Sequence, residues 1–217
     1  MADGLNEATR SARLLAAAGD HLDEAAGVRL LTEIADGTVA PATYARYLRV
    51  EEEFVGTAAR VLGAAVWHSP RWEATVGHAR SLFSLVTEQR EYFAQARARW
   101  GSDAAMGPAA RHAAGGLSEH VLGVAGEYGY PAIVTSMFAA EWLYLSWCTA
   151  ANARDVAREP TVQEWVGLHA RAPFTDQVAF LRSEVDALSD DVSDAHVFEW
   201  FTTTLRRECV FHDSVYL

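Results

Sequence analysis

Pro131-Ala-Ile-Val-Thr-Ser-Met-Phe-Ala-Ala-Glu141-Trp-Leu-Tyr144-Leu-Ser-Trp-Cys148 carries a proline in its first turn, one charge in its middle and apolar residues on nearly every side. A helix of that kind is buried on most sides in a folded chain. Around it the apolar residues recur at helical spacing, and alternating β-branched runs are missing. The pattern predicts helices at 11–18, 21–36, 41–67, 71–100, 117–128, 131–153, 161–170, 174–188 and 194–216. Their punctuation is legible: Asp36-Gly37 closes one helix and Pro41 opens the next, while Gly101-Ser102-Asp103 and Gly107-Pro108 break the middle of the chain. Gly129, Glu159-Pro160 and Ala172-Pro173 mark later breaks. No repeat and no long linker divides the sequence, so residues 1–217 are expected to form a single all-α domain.

Composition narrows the function. The chain has 217 residues, half of them hydrophobic, with 29 acidic against 18 basic side chains and a net charge of −11. Such a surface is repelled by phosphate backbones and anionic lipid, which disfavours nucleic acid and membrane as partners. All 18 basic residues are Arg. Without a lysine there is no Schiff-base chemistry and no phosphate-binding P-loop. Cys148 and Cys209 form no Cys-x-x-Cys pair, the N-terminus lacks the basic flank of a signal peptide, and no apolar run approaches a membrane span. A cytoplasmic location is the expectation.

The informative residues are acids on apolar stripes. Glu51 lies at i+4 from Tyr47 and i+7 from Tyr44, on a stripe continued by Leu48, Phe54, Val55, Ala58 and Leu62. Glu53 falls instead on the face of Arg46, Arg49 and Arg60 and reads as a solvated ion-pair position. Glu141 shares a stripe with Val134, Met137, Phe138, Tyr144, Leu145 and Cys148, and Glu208 one with Phe198, Phe201, Leu205, Phe211 and Val215. A buried carboxylate costs several kcal/mol unless it is paired or protonated. Each could be satisfied inside the core or at a subunit interface. Three of them on three helices point to a polar cavity where carboxylates bind or protonate a small ligand.

Other constellations are weak. There is no Glu-x-x-His and no His-Glu-x-x-His. His169 follows Trp165 at i+4, a position that suits a core or surface histidine first and a cavity wall second, whereas His120 and His212 lack an evident partner and Cys148 reads as core packing.

Three segments together resemble the TenA family of thiamine-salvage proteins. Gly37 to Phe54, with Tyr44, Tyr47, Leu48 and Glu51, is similar to that family's Gly…Phe-x-x-Tyr-Leu-x-Gln-Asp-x-x-Tyr. Phe138-Ala-Ala-Glu-Trp-Leu-Tyr144 is similar to its Pro-Cys-x-Trp-x-Tyr helix, and Arg207-Glu-Cys-Val-Phe-His-Asp-Ser-Val-Tyr216 to its C-terminal Glu-x-x-Phe-Trp-x-x-Ala-Tyr. Glu164 to Phe174 matches more weakly.

The resemblance implies a haem-oxygenase-like bundle that hydrolyses amino- or formylamino-pyrimidines and needs no metal or cofactor. It implies Glu208 as the catalytic acid on the pyrimidine ring, Glu51 in place of a pyrimidine-binding Asp, and a pocket lined by Tyr47, Phe54, Tyr144 and His169, with Trp142 also packing the ring. The family's nucleophilic Cys falls at Ala140, so Glu141 beside it becomes the expected general base, as in the subgroup that lacks the Cys. Val50 replaces a Gln, and Leu117 and His169 replace tyrosines. A homo-oligomer, tetramer or dimer, is implied as well. Two other classes stay open on the residues alone: a metal-dependent oxidase using the three glutamates with histidines, and a ligand-binding or regulatory protein that kept the pocket and lost the chemistry.

Overall fold

A computed structural model describes residues 8–100 and 105–217. Every described regular element is helical. Three short helices, α1 (Arg10–Ala17), α2 (Gly19–Ala26) and α3 (Arg29–Ala35), precede the long α4 (Pro41–His68). Then come α5 (Trp72–Ser84), a π-helical turn at Leu85–Gln89, and α6 (Arg90–Trp100). The second half holds α7 (Pro108–Tyr128), α8 (Tyr130–Asn152), α9 (Pro160–Leu168), α10 (Phe174–Asp186) and α11 (Asp194–Asp213), which ends in a 3-10 turn at Ser214–Tyr216.

The stretch that decided the fold sits where its composition requires. Helix α8 packs against α4, α7, α9, α10 and α11, and Ile133, Val134, Phe138, Leu143 and Cys148 are fully buried along it. Covering a large apolar side chain of this kind is worth roughly 1.5–3 kcal/mol, so enclosure on all sides is what keeps so apolar a helix in place. Gly129, at φ +65°, lets α7 turn directly into α8 in a region that side-chain-bearing residues rarely adopt. Gly37 (φ +69°) does the same between α3 and α4, where an added Cβ would stand 2.5 Å from the Ala157 carbonyl oxygen.

Four boundaries differ from the sequence expectation. The helix expected over 21–36 is two, because the Gly27 N–H closes α2 onto the Asp23 and Glu24 carbonyls and Val28 is extended. The helix expected at 71–100 is interrupted by the π turn. Gly107-Pro108 does fall between two helices, but Pro108 opens α7 nine residues ahead of the expected Leu117, because proline's missing N–H has no partner to lose in a first turn. The last helix stops at Asp213 before its 3-10 turn. The expected break at Gly101-Ser102-Asp103 lies outside the described residues.

Candidate active site

Helices α4, α8 and α11 each deliver one glutamate to a shared cavity. Its inner lobe, about 80 Å³, is lined by Glu51, Glu141 and Glu208, with Phe54, Tyr144, Trp165 and His169 among its walls. It is continuous through Phe54, Ala58, Leu85, Gln89 and Ala140 with an outer lobe of about 140 Å³. Either lobe far exceeds the ~10–15 Å³ that a single water needs. Glu51 and Glu208 are 8% and 2% exposed, and Glu141 keeps more accessible surface; Glu141 and Glu208 line both lobes, Glu51 the inner one.

A hydrogen-bond chain ends on Glu51, and its direction is fixed at the far end. The Trp165 indole N–H, which can only donate, reaches the Tyr47 hydroxyl at 3.1 Å. Tyr47 Oη and Tyr144 Oη are 3.1 Å apart, and Tyr144 donates its proton to Glu51 Oε1. With Tyr144's proton committed to Glu51, Tyr47 donates to Tyr144. His212 Nε2, 3.1 Å from the same Tyr144 oxygen, donates to it as well. His212 is therefore the Nε2–H tautomer, and its buried Nδ1 has no partner. All these donors point toward Glu51, which favours the ionised form there.

The other two carboxyls have less support. Gln177 Nε2 on α10 donates to Glu141 Oε1 at 3.0 Å. Glu208 Oε2 is buried with no hydrogen-bond partner. Burial pushes the Glu51 carboxyl up to about 7, against the hydroxyls of Tyr144 and Tyr47, which lower it. Burial, and then the charge of Glu51, push Glu141 up to about 8. Glu208 is raised well above the usual carboxylate range by burial, with Glu51 and Glu141 adding to the effect. Of the three, Glu51 is thus the carboxyl that ionises most readily near neutral pH, Glu208 holds its proton most firmly, and Glu141 is able to move in either direction. No arginine lines either lobe, so nothing in the walls compensates a second or third negative charge.

The aromatic frame is tight. His169 is wedged between Trp165 (ring centroids 4.2 Å apart, planes tilted by 60°) and Phe174 (4.7 Å, edge-on at 69°), with Tyr144 at 5.2 Å. Its Nδ1 lies 2.8 Å from the Trp165 carbonyl oxygen, to which it donates, leaving Nε2 as an acceptor. Burial lowers this imidazole to about 4, so the ring is neutral. Phe54 meets Phe211 at 5.8 Å.

Of the residues singled out in the sequence, Glu51, Phe54, Glu141, Tyr144, His169 and Glu208 come together on the inner lobe. Tyr47 does not line it: fully buried, it holds Tyr144 from behind. Trp142 faces away, against Phe138 and beneath the Arg182 guanidinium. Ala140 does line both lobes, so the position where the resembling family carries its nucleophilic Cys faces the cavity here, while Cys148 is core. Glu53 pairs with Arg49 at 3.1 Å, as its helix face implied, but Arg46 bonds the Val215 carbonyl instead. His212, Trp165, Gln177 and Ser136 were not singled out. His212 had a signal, one turn from Glu208, whereas Gln177 reaches Glu141 only through the packing of α10 on α8. Among the described residues, no three His, Cys, Asp or Glu side chains are grouped so as to hold a metal ion, and no helix is long and apolar enough to cross a membrane.

Neither a family model nor a curated protein sequence matches the chain. Solved structures do. A TenA homologue from Pyrococcus furiosus superposes with a TM-score of 0.83 at 18% identity, over 95% of this chain and 100% of that one. A protein from Silicibacter sp. TM1040, named a TenA family transcription regulator, gives 0.82 at 12% identity over 96% and 97%. A protein from Sulfolobus solfataricus, named for its likeness to TenA-type thiaminases, gives 0.75 at 13% identity over 100% and 97%. At these identities the likeness establishes the architecture: the chain folds as the all-α bundle of the TenA homologues.

Proposed function

We propose that the protein is a TenA-type hydrolase of aminopyrimidines, of the kind that works without the cysteine. The observation that carries this reading is the convergence of Glu51, Glu141 and Glu208 on one aromatic-walled cavity, with their proton affinities pushed apart. An aminopyrimidine is a flat ring whose exocyclic amine donates and whose ring nitrogens accept. The ionised Glu51 accepts from the amine; protonated Glu208, whose Oε2 has no internal partner, donates to a ring nitrogen. Phe54, Tyr144 and His169 pack the ring.

Hydrolysis breaks a C–N bond and forms a C–O bond to water. Glu141 takes a proton from the attacking water and returns it to the leaving nitrogen, which departs as the neutral amine. Gln177 fixes the orientation of the carboxyl. Ala140 offers no nucleophile, so water attacks directly and no covalent intermediate forms on that residue.

The test is turnover of 4-aminopyrimidines bearing aminomethyl or formylaminomethyl groups, followed by release of the amine, beside a thermal-shift measurement with each compound. Turnover that is lost in Glu208→Gln supports the reading. A wild type stabilised by these compounds yet unable to hydrolyse any of them would make the protein a binder with the same pocket.

A further inference from the structure

The outer lobe is larger than the carboxylate lobe, about 140 Å³ against about 80 Å³, and its character is different. Val61, Leu62, Val121, Met137, Leu168 and Phe174 line it and do not line the inner lobe. Its polar lining lies toward the inner lobe, in Gln89, Glu141 and Glu208, which the two lobes share, and in Gln177, already committed to Glu141, and at its other end in Glu88. The hydroxyls of Ser81 and Ser84 are already satisfied, on the Gly77 carbonyl and the Glu88 carboxylate. Ser136 is the exception. It is 1% exposed, lines the outer lobe, and its Oγ has no hydrogen-bond partner. A helical serine ordinarily bonds the carbonyl one turn back; this one is left available to whatever occupies the lobe.

We propose that the outer lobe is a second subsite, which takes an uncharged hydrocarbon body of the same ligand whose nitrogenous head sits among the carboxylates, with Ser136 meeting one polar group on that body. The two lobes share Phe54, Ala58, Leu85, Gln89 and Ala140 as a common throat, with the carboxyls of Glu141 and Glu208 also reaching both, so one molecule spans the two with its head at those carboxyls. A bare ring fills only the inner part and leaves an apolar void, which close-packed interiors do not favour. No arginine lines either lobe, so a phosphorylated or otherwise anionic body is excluded from this space. The inference rests on the reading of the inner lobe as a site for a nitrogenous head.

Calorimetric titration of the wild-type protein tests it with two homologous series: 4-aminopyrimidine with 5-alkyl chains from methyl to butyl, and the n-alkylamines of matching length. Affinity should rise about fourfold per methylene as the chain enters the lobe, and level off once it reaches the opening near Ser84, Glu88 and Pro173. A hydroxyl on the chain should add affinity that Ser136→Ala removes, while that variant leaves plain alkyl chains and the melting temperature unaffected. Val121→Phe should flatten the chain-length dependence and leave the unsubstituted ring's affinity unchanged.

If the unsubstituted aminopyrimidine binds and its aminomethyl derivative turns over, but added methylenes give no gain in affinity, the subsite is overturned and the proposed activity stands. If alkylamines show the chain-length slope while no aminopyrimidine binds, the pyrimidine reading falls and the subsite stands. Absence of binding in both series overturns both. Should Val121→Phe fail to fold, the wild-type slopes and the Ser136→Ala comparison still decide the matter.

Discussion

The carboxyl of Glu208 lies 3.9 Å from Nε2 of His212, one turn further along α11, and the two are not hydrogen-bonded. The spacing would ordinarily suggest a helical ion pair. It is not one, because the Nε2 proton is directed to Tyr144 and burial lowers the imidazole to about 3. Among the described residues Glu208 is thereby left buried with one carboxyl oxygen that no partner satisfies, the feature on which its proposed donation to a ring nitrogen rests.

Glu208→Gln follows directly. Burial raises this carboxyl well above the usual carboxylate range and favours its neutral form, so an amide of the same shape should replace it with little disturbance, and the melting temperature should be unchanged or slightly higher. Loss of the transferable proton should lower turnover by ~10²–10⁴. Parallel melting curves and steady-state rates check this; a folded variant with wild-type turnover would remove Glu208 from the mechanism.

Tyr144→Phe should act through Glu51. Its hydroxyl holds the Glu51 proton affinity down against burial, so removing it drives that affinity upward. If activity needs Glu51 ionised, the acidic limb of the rate profile, expected near pH 7 in the wild type, moves to higher pH. A hydrogen bond to a charged group is worth ~1.5–3 kcal/mol, which corresponds to a shift of about one to two pH units. A pH profile of kcat for both proteins decides it, and an unmoved limb would assign that ionisation to another group.

The candidate site was legible in part because helical periodicity reports burial. Glu51, Glu141 and Glu208 each fall on an apolar stripe, and the structure turns all three toward one cavity. The same signal marks Glu184, at i+3 from Leu181, which is 3% exposed, yet no role was attached to it. Leu85 and Gln89 were illegible for a different reason. They lie in the π turn, where each turn takes up an extra residue and the 3.6-residue phase is lost. Tyr47 and Trp142 show the limit of a stripe: it says that a side chain faces inward, not whether it meets a cavity or another side chain. Gln177 and Ser136 depend on which helices come together, which no local pattern contains.

Glu184 supplies a prediction with the opposite signature to Glu208. Its carboxylate accepts from Arg71 NH2 at 2.5 Å and from the Tyr130 hydroxyl at 2.7 Å, and Tyr130 also meets His78 Nε2 at 2.9 Å. This buried group ties the start of α5 to α8 and α10, away from the cavity. Glu184→Ala takes the acceptor from the Arg71 guanidinium and from the Tyr130 hydroxyl proton and should cost about 2–4 kcal/mol, somewhat below a fully buried pair because Arg71 is partly exposed. Urea denaturation should show the loss, and the affinity for aminopyrimidines at a temperature where the variant is folded should be unchanged. A weakened affinity without loss of stability would place Glu184 in communication with the site.

Glu141 makes stability itself depend on pH, with a sign that can be worked out. Its folded-state value, about 8, lies above the 4.5 it takes when unfolded. Between those limits the folded protein keeps a proton that the unfolded chain has released, so raising the pH favours unfolding across that window. Below the lower limit both states hold the proton, and above the upper both have lost it, so the contribution is flat at either end. Glu141→Gln cannot ionise and lacks this term. Relative to the wild type, the variant should therefore gain stability steadily from about pH 5 to pH 8, by up to a few kcal/mol, and hold the gain beyond. Other groups titrating in the same window, Glu51 among them, largely cancel in the difference between the two proteins. Urea unfolding of both at pH 5 and pH 8.5 is sufficient. A variant whose stability difference from the wild type is the same at the two pH values would mean that Glu141 is already ionised in the folded protein at pH 5, and would overturn the raised proton affinity that lets it both take and return a proton near neutral pH.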